Sequence, residues 1–342
     1  MSLDAPWQHR VLAQLVDAYR SGHLGHAQLI TGPARLGKRR VAERFAQRLL
    51  CDTDEGIEPC DRCRSCRQFA QRFQRDPEET RPGGGLAHPM GHPGHPDALF
   101  VGFVLNEKAN PKKMRSEIVI DQMRELSRQL LVSPQYGRAR VALIEPAEFV
   151  GHAAANSLLK TLEEPVEGRY LLLVTSQPSR LPATIRSRCQ HVDFRIPPAE
   201  EAAAWMQSRG HPAADAREAL AAARGHPGLA DDWLRDGGMA LRREVAADLQ
   251  RVSRGDDAPA EVAQRWAAGG QSDLRLRHAA DLAVERAASL TDPRHARSLA
   301  AWFDKANRSR DLLRTTVRAD LVLVELLMAW RDARPGPEIR ER

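Results

Sequence analysis

The run Gly32-Pro33-Ala34-Arg35-Leu36-Gly37-Lys38-Arg39 constrains the fold more than any other stretch of the chain. The pattern G-x-x-x-x-G-K-[ST] builds a phosphate-binding loop whose Lys reaches the β- and γ-phosphates and whose closing hydroxyl ligates Mg²⁺. Gly32, Gly37 and Lys38 satisfy it, but Arg39 stands where the hydroxyl belongs. A guanidinium has no lone pair to offer a metal and brings positive charge to the Mg²⁺ position. Before the loop, Leu29-Ile30-Thr31 reads as a short apolar strand. After it, residues 39–50 read as a helix with Val41, Phe45 and Leu49 at i, i+4 and i+8. Strand, glycine loop and helix are the setting of a nucleotidase fold, here with its own chemistry impaired.

Further apolar strands follow at Val141–Ile144 and Tyr170–Thr175, alternating with helical patterns at Ile118–Val132 and Ala153–Glu164. Such alternation predicts a parallel α/β sheet. After Pro197-Pro198 the strand signals stop, and the rest is helical, with breaks at Gly225-His226-Pro227-Gly228 and at several later glycines and prolines. The predicted organisation is an α/β domain over 1–196, a small helical domain over 197–237 and a larger helical domain over 238–342. Within the first, residues 75–96 carry His88, His92 and His95 among Pro and Gly, which predicts a flexible, solvated surface insertion. Metal ligation by the three histidines is the other reading.

Three constellations carry chemistry. Cys51, Cys60, Cys63 and Cys66 form two overlapping C-x-x-C steps with a fourth thiol upstream, a pattern suited to a tetrahedral structural Zn²⁺. Free thiols, a redox pair or an iron–sulfur cluster are the alternatives. At the end of the Val141–Ile144 strand, Glu145 takes the position of a metal-binding Asp, and Pro146 takes that of the water-activating Glu. Proline offers no base, so the attacking water has nothing to deprotonate it. Finally, Arg188 in Thr184-Ile185-Arg186-Ser187-Arg188-Cys189 is either a solvated surface residue or an arginine placed to reach a neighbour's phosphate.

Bulk properties narrow the class further. The chain of 342 residues has 51 basic residues, only six of them Lys, and a formal charge of +6. That balance permits a nucleic-acid partner without requiring one. The N-terminal Met1–Trp7 has no apolar signal core, and the longest apolar runs fall short of a membrane span, so a cytoplasmic protein is expected.

The chain resembles the bacterial clamp-loader AAA+ family. The resemblance rests on Pro6-Trp7-Gln8, the glycine loop, the four cysteines, His95-Pro96-Asp97, Leu158-Leu159-Lys160-Thr161-Leu162-Glu163-Glu164-Pro165 and Ser187-Arg188-Cys189, and covers residues 6–230. It implies a P-loop AAA+ module with a RecA-like parallel sheet, a helical lid and an all-α C-terminal collar for oligomerisation. It further implies a five-subunit ring with motor (gamma/tau) subunits and a delta subunit, which loads a sliding clamp on primer-template DNA as part of a DNA polymerase III holoenzyme. The faulty loop points to the stator, a non-hydrolysing member that supplies Arg188 in trans as an arginine finger to the neighbouring motor's ATP site. Within the family Cys51, Cys60, Cys63 and Cys66 are the zinc ligands, and Thr175 matches the residue that probes the γ-phosphate. Gly225–Gly228 replaces a phosphate-sensing Arg. Gly32, Gly37, Lys38, Arg39 and Thr175 thus outline a degenerate nucleotide site. The intact Lys38 leaves weak ATP binding open, and an autonomous ATPase related to the motor subunit is the alternative.

Overall fold

The computed structural model describes residues 3–53, 55–75, 79–81, 85–106, 108–109, 113–313 and 317–332. The chain divides into two compact units, Met1–Glu201 and Ala202–Arg342. The first is built on a parallel sheet of β1 (Ala27–Thr31), β2 (Ala98–Val101), β3 (Arg140–Ile144), β4 (Arg169–Val174) and β5 (Gln190–Asp193). Their spatial order is β2-β3-β4-β1-β5, that of a P-loop AAA+ module. Because β1 inserts between β4 and β5, the loop leaving its carboxyl end opens at a switch point of the sheet, where α/β folds place their ligands.

Every residue of β1 and β3 is buried, as befits strands covered on both faces. On one face Leu29, Ala142, Ile144, Leu171 and Leu173 pack with Met123, Leu126 and Leu130 of α4 (Ile120–Leu131) and Ala155, Leu158 and Leu162 of α5 (His152–Glu163). Ahead of the sheet runs α1 (Pro6–Arg20), the glycine loop leads into α2 (Lys38–Leu50), and α3 (Arg64–Ala70) carries the last of the four clustered cysteines. The apolar stripe expected on α2 is present, but from Val41 to Leu50 every side chain is buried, Glu43, Arg44, Gln47 and Arg48 included. The helix is enclosed on its polar side as well, because the cysteine segment and the insertion cover it.

That covering corrects the expectation for residues 75–96. In its described part the insertion is packed rather than solvated: His88, His92 and His95 are 0%, 3% and 2% exposed. Residues 76–78 and 82–84 lie outside the described residues. Just beyond, His95-Pro96-Asp97 serves as an anchor. The fully buried Asp97 carboxylate accepts from the amides of Gln135 and Tyr136 and from Arg140 Nε and Nη2, the last at 2.7 Å. It ties the loop entering β3 to the start of β2.

The second unit is all-α among its described residues. The chain enters it within α7 (Ala199–Ser208) and continues through α8 (Ala213–Ala222), α9 (Pro227–Arg235) and α10 (Gly238–Arg254). It closes with α11 (Pro259–Ala268), α12 (Ser272–Ala288), α13 (Pro293–Leu312) and α14 (Ala319–Asp332). Its core centres on Trp266, Trp302 and Trp330, whose indole N–H groups donate to Asp248 Oδ2, Leu326 O and Leu249 O at 2.7, 3.0 and 2.9 Å. Burying an indole is favourable when its one donor is satisfied. No described helix is long and apolar enough to cross a membrane.

Replacing Asp97 by Ala would leave the Arg140 guanidinium buried without its carboxylate. A loss of about 3–5 kcal/mol follows for such a broken pair. It should appear in thermal unfolding as a lowered transition of the first unit. A variant as stable as the native chain would show that the anchor does not carry load.

Candidate functional site

The glycine loop has the geometry its pattern requires. Gly37 takes φ +87°, a conformation that favours glycine, and a Cβ there would lie 2.3 Å from Gln8 Nε2, so that side chain packs closely on the loop. The closeness comes from α1: Trp7 Nε1 and Gln8 Nε2 donate to Leu36 O at 2.9 and 3.3 Å. The Pro6-Trp7-Gln8 motif thus clamps the loop from outside.

Lys38 does not reach into open space. Its ammonium donates to Gly32 O and Pro33 O, both at 2.7 Å, and to Ser176 Oγ at 3.0 Å. Those three bonds engage its three N–H donors. Burial lowers its pKa from 10.5 to about 8, against the pull of Glu145 and Glu148.

Arg39 lies next to it, and its guanidinium is bonded on all three nitrogens. Nε donates to Glu43 at 2.6 Å, Nη1 to Glu145 Oε2 at 2.6 Å and to Ala87 O at 3.1 Å, and Nη2 to His88 Nδ1 at 2.8 Å. The guanidinium also faces the Phe100 ring, 5.7 Å from its centroid. Burial by itself would loosen its proton, but Glu145 and Glu43 outweigh that and raise its pKa. The carboxylate that the sequence assigned to a metal is therefore neutralised by the side chain that displaced the metal's other ligand. Pro146 follows Glu145 as read, so no carboxylate occupies the base position of the motif.

Two contributors lay outside the sequence reading. Thr175 is buried just beyond β4, and its hydroxyl accepts from the Gln177 amide at 3.0 Å. The side chain that meets Lys38 is its neighbour Ser176. Glu148, on the short turn after β3, accepts from the Ser176 amide at 3.3 Å and adds its charge beside Lys38. Neither belongs to a spaced pattern; only a carboxylate three residues past a metal-position Glu could have hinted at the second.

The cysteines converge. All four sulfurs lie within 4.8 Å of one another, with Cys51 to Cys63 at 3.9 Å and Cys60 to Cys66 at 4.0 Å. A tetrahedral site with Zn–S of about 2.3 Å calls for sulfurs roughly 3.8 Å apart, so the set fits a metal such as zinc. The Cys63 and Cys66 amides point at Cys60 and Cys63 sulfur, each at 3.3 Å, which favours thiolates. Burial raises Cys66, as do its neighbouring thiols, a crowding that a divalent cation would relieve. The module is held on α2 by Arg44, which pairs with Asp61 and Glu58, and by Arg48, which donates to Thr53 O and Gly56 O.

A second group, Glu79, His88 and His92, also gathers within 4.8 Å. It is not arranged as a metal site. Arg39 can only donate, so His88 Nδ1 accepts, and the neutral ring must carry its hydrogen on Nε2, the nitrogen facing Glu79. Burial, with Arg39 next, lowers the His88 pKa to about 2 and keeps the ring neutral.

Arg188 sits between α6 (Ala183–Arg186) and β5, partly exposed, beside Cys189, which is buried in the core. Its guanidinium pairs with Glu163 at 2.6 Å and donates to Thr184 O at 3.0 Å. The structure therefore brings Gly32, Gly37, Lys38 and Arg39 together, with Thr175 adjoining them, and places Arg188 at the surface with Glu163, at the end of α5.

The sequence profile of the family described as "DNA polymerase III, delta subunit" matches residues 7–198. The DNA polymerase III subunit delta-prime of Pseudomonas aeruginosa is 33% identical over 263 residues, 76% of this chain and 70% of that protein. The chain belongs to the delta-prime family. The delta-prime subunit of Escherichia coli K12 is 30% identical over 67% of this chain and 62% of its own length. The tau subunit of the same organism is 30% identical over 54% of this chain but only 24% of its own. The family profile ends close to the end of the α/β unit, whereas the two delta-prime matches are longer than that unit and extend into the helical one.

Two expectations follow from this geometry. Because the folded pKa of Lys38 lies below its unfolded value, the unfolded chain binds the extra proton between about pH 8 and 10.5, and stability rises with pH across that window. Lys38→Met should remove that part of the rise in denaturant titrations at the two ends of the window; an identical pH slope in both proteins would contradict it. The cysteine module should carry about one tightly bound Zn²⁺ per chain by elemental analysis, lost together with thermal stability in Cys63→Ser.

Proposed function

We propose that this chain is the stator of a bacterial clamp loader: a non-hydrolysing delta-prime subunit that lends Arg188 in trans to a motor subunit's ATP site. The observation that carries the reading is the Arg39 guanidinium at the metal position, bound to Glu145 and followed by Pro146, which supports a site unable to organise Mg²⁺ or activate water. Arg188 supports the second half. It is partly exposed, beside a buried Cys189 that holds the backbone, and carries its charge on a flexible stem. A guanidinium brought to a neighbour's γ-phosphate stabilises the charge that develops during transfer.

In this reading the four cysteines hold a structural zinc, residues 197–237 act as the AAA+ lid, and 238–342 form the collar through which the ring assembles. The partners are gamma/tau motor subunits, a delta subunit, the sliding clamp and, through the complex, primer-template DNA in the cytoplasm.

A second reading, an autonomous ATPase, is favoured by one observation: the Glu148 carboxylate stands beside Ser176 and Lys38 and could serve as a base. The two separate cleanly. Under the stator reading the isolated chain shows no ATPase activity above background. Under the same reading Arg188→Ala, folded as the native chain by circular dichroism, lowers clamp- and DNA-dependent ATP turnover of the reconstituted loader by roughly 10³-fold at the affected site. Turnover by the isolated chain that vanishes in Glu148→Gln would instead establish the enzyme, and unchanged turnover of the assembled loader would remove the arginine finger.

A further inference from the structure

The insertion, which no part of the stator reading employs, meets the degenerate loop at Arg39. Ala87 O and His88 Nδ1 take two of the guanidinium's donors, on the two nitrogens that do not bind Glu43. His88 is in turn fixed from several sides. Gln74 Nε2 donates to its carbonyl at 2.9 Å, and its ring lies 4.3 Å from that of His92. His92 Nε2 bonds Glu79 Oε2 at 2.5 Å, and Arg75 pairs with the other Glu79 oxygen at 3.1 Å. Beneath the ring is Gly102, just past β2, where a Cβ would lie 2.9 Å from His88 Nε2 and 2.9 Å from Glu145 O. The imidazole and the Glu145 carbonyl thus both crowd the side of Gly102 where a side chain would stand.

We propose that Ala87, His88, His92 and Glu79 form a built-in plug for the nucleotide site. They hold the Arg39 guanidinium on Glu145 and thereby exclude both Mg²⁺ and a nucleoside triphosphate. The physical argument is one of pre-satisfaction. A metal-bound triphosphate enters a phosphate loop by offering a cation to the acidic residues and anionic oxygens to the Lys and amides. Here the acidic residues Glu43 and Glu145 already hold Arg39, and Lys38 is already spent on Gly32, Pro33 and Ser176. Arg39 could swing aside only by breaking its bonds to the insertion as well, and these are satisfied in a buried setting where an unpaired guanidinium is costly. A neutral His88 suits this role, because only a neutral imidazole can accept from Arg39. The plug concerns closure of the chain's own loop. It can fail while the trans role of Arg188 stands, and the reverse.

The test is a titration of the full chain with Mg²⁺ and a fluorescent ATP analogue, comparing native protein with H88A, H88N and R39T. Asn at position 88 retains a side-chain carbonyl that can accept from Arg39, so H88N should bind as weakly as the native chain. H88A and R39T should each bind at least about tenfold more tightly, the scale set by losing a hydrogen bond to a charged group. Equal affinity of native, H88N and H88A would overturn the plug, as would native binding as tight as that of R39T. Hydrogen exchange on the native chain needs no variant. The Ala87 and Gly91 amides, bonded to Glu79 O and His88 O at 2.7 and 2.8 Å, should be protected to the level of α2. Exchange at the rate of an exposed loop would overturn it equally.

Discussion

The part-buried ion pair between Arg39 and Glu145 is the contact on which the α/β unit's site depends. Two carboxylates, Glu43 and Glu145, meet at the mouth of a phosphate loop where a competent enzyme would hold a hydrated Mg²⁺. Leaving them buried without a cation would be costly. Arg39 supplies that cation covalently, with a planar fork that reaches both acids and still has donors for Ala87 O and His88. A diffusible metal leaves with its nucleotide, whereas a tethered guanidinium stays. The positive charge at this position is therefore a fixed part of the fold.

α2 is the element through which this charge arrangement reaches the rest of the unit. Its amino end carries the loop, Lys38 and Arg39. Its middle presents Glu43 to Arg39 and Arg72, and Arg44 to the cysteine segment. Its last turns place Arg48 on the Thr53 and Gly56 carbonyls. The helix is enclosed along most of its length, and its polar side chains hold the insertion near its amino end and the cysteine segment further on. The thiol cluster and the histidine segment are thus both fastened to the helix that begins at the phosphate loop.

Much of this was legible in the linear chain, and for a definite reason. Gly32, Gly37, Lys38, the four cysteines and the apolar strands are local patterns, in which spacing alone states the chemistry. Arg39 and Pro146 were legible as faults because each falls at a defined place in such a pattern. The insertion misled because Gly, Pro and His are read by composition as solvent-facing. Its burial comes from contacts that composition does not show, with Gln74, Phe100 and Gly102 on either side and with Arg39 far back along the chain. Ser176 and Glu148 escaped for a similar reason, since they acquire meaning only when the ends of β3 and β4 come together beside Lys38. Asp97 had been read only as part of a family motif, and its bonds to Arg140 show it to be an anchor between neighbouring strands.

The sequence by itself determined that the chain carries a phosphate loop without a metal ligand, a four-thiol cluster and a sheet of alternating strands and helices, because each is set by residues close together along the chain. Only the tertiary structure decided what became of the misplaced Arg39. Its partners are Glu43 four residues on, the Ala87–His88 pair about fifty residues on and Glu145 more than a hundred residues on. A charge's meaning depends on what it is buried against, and those neighbours are chosen by folding.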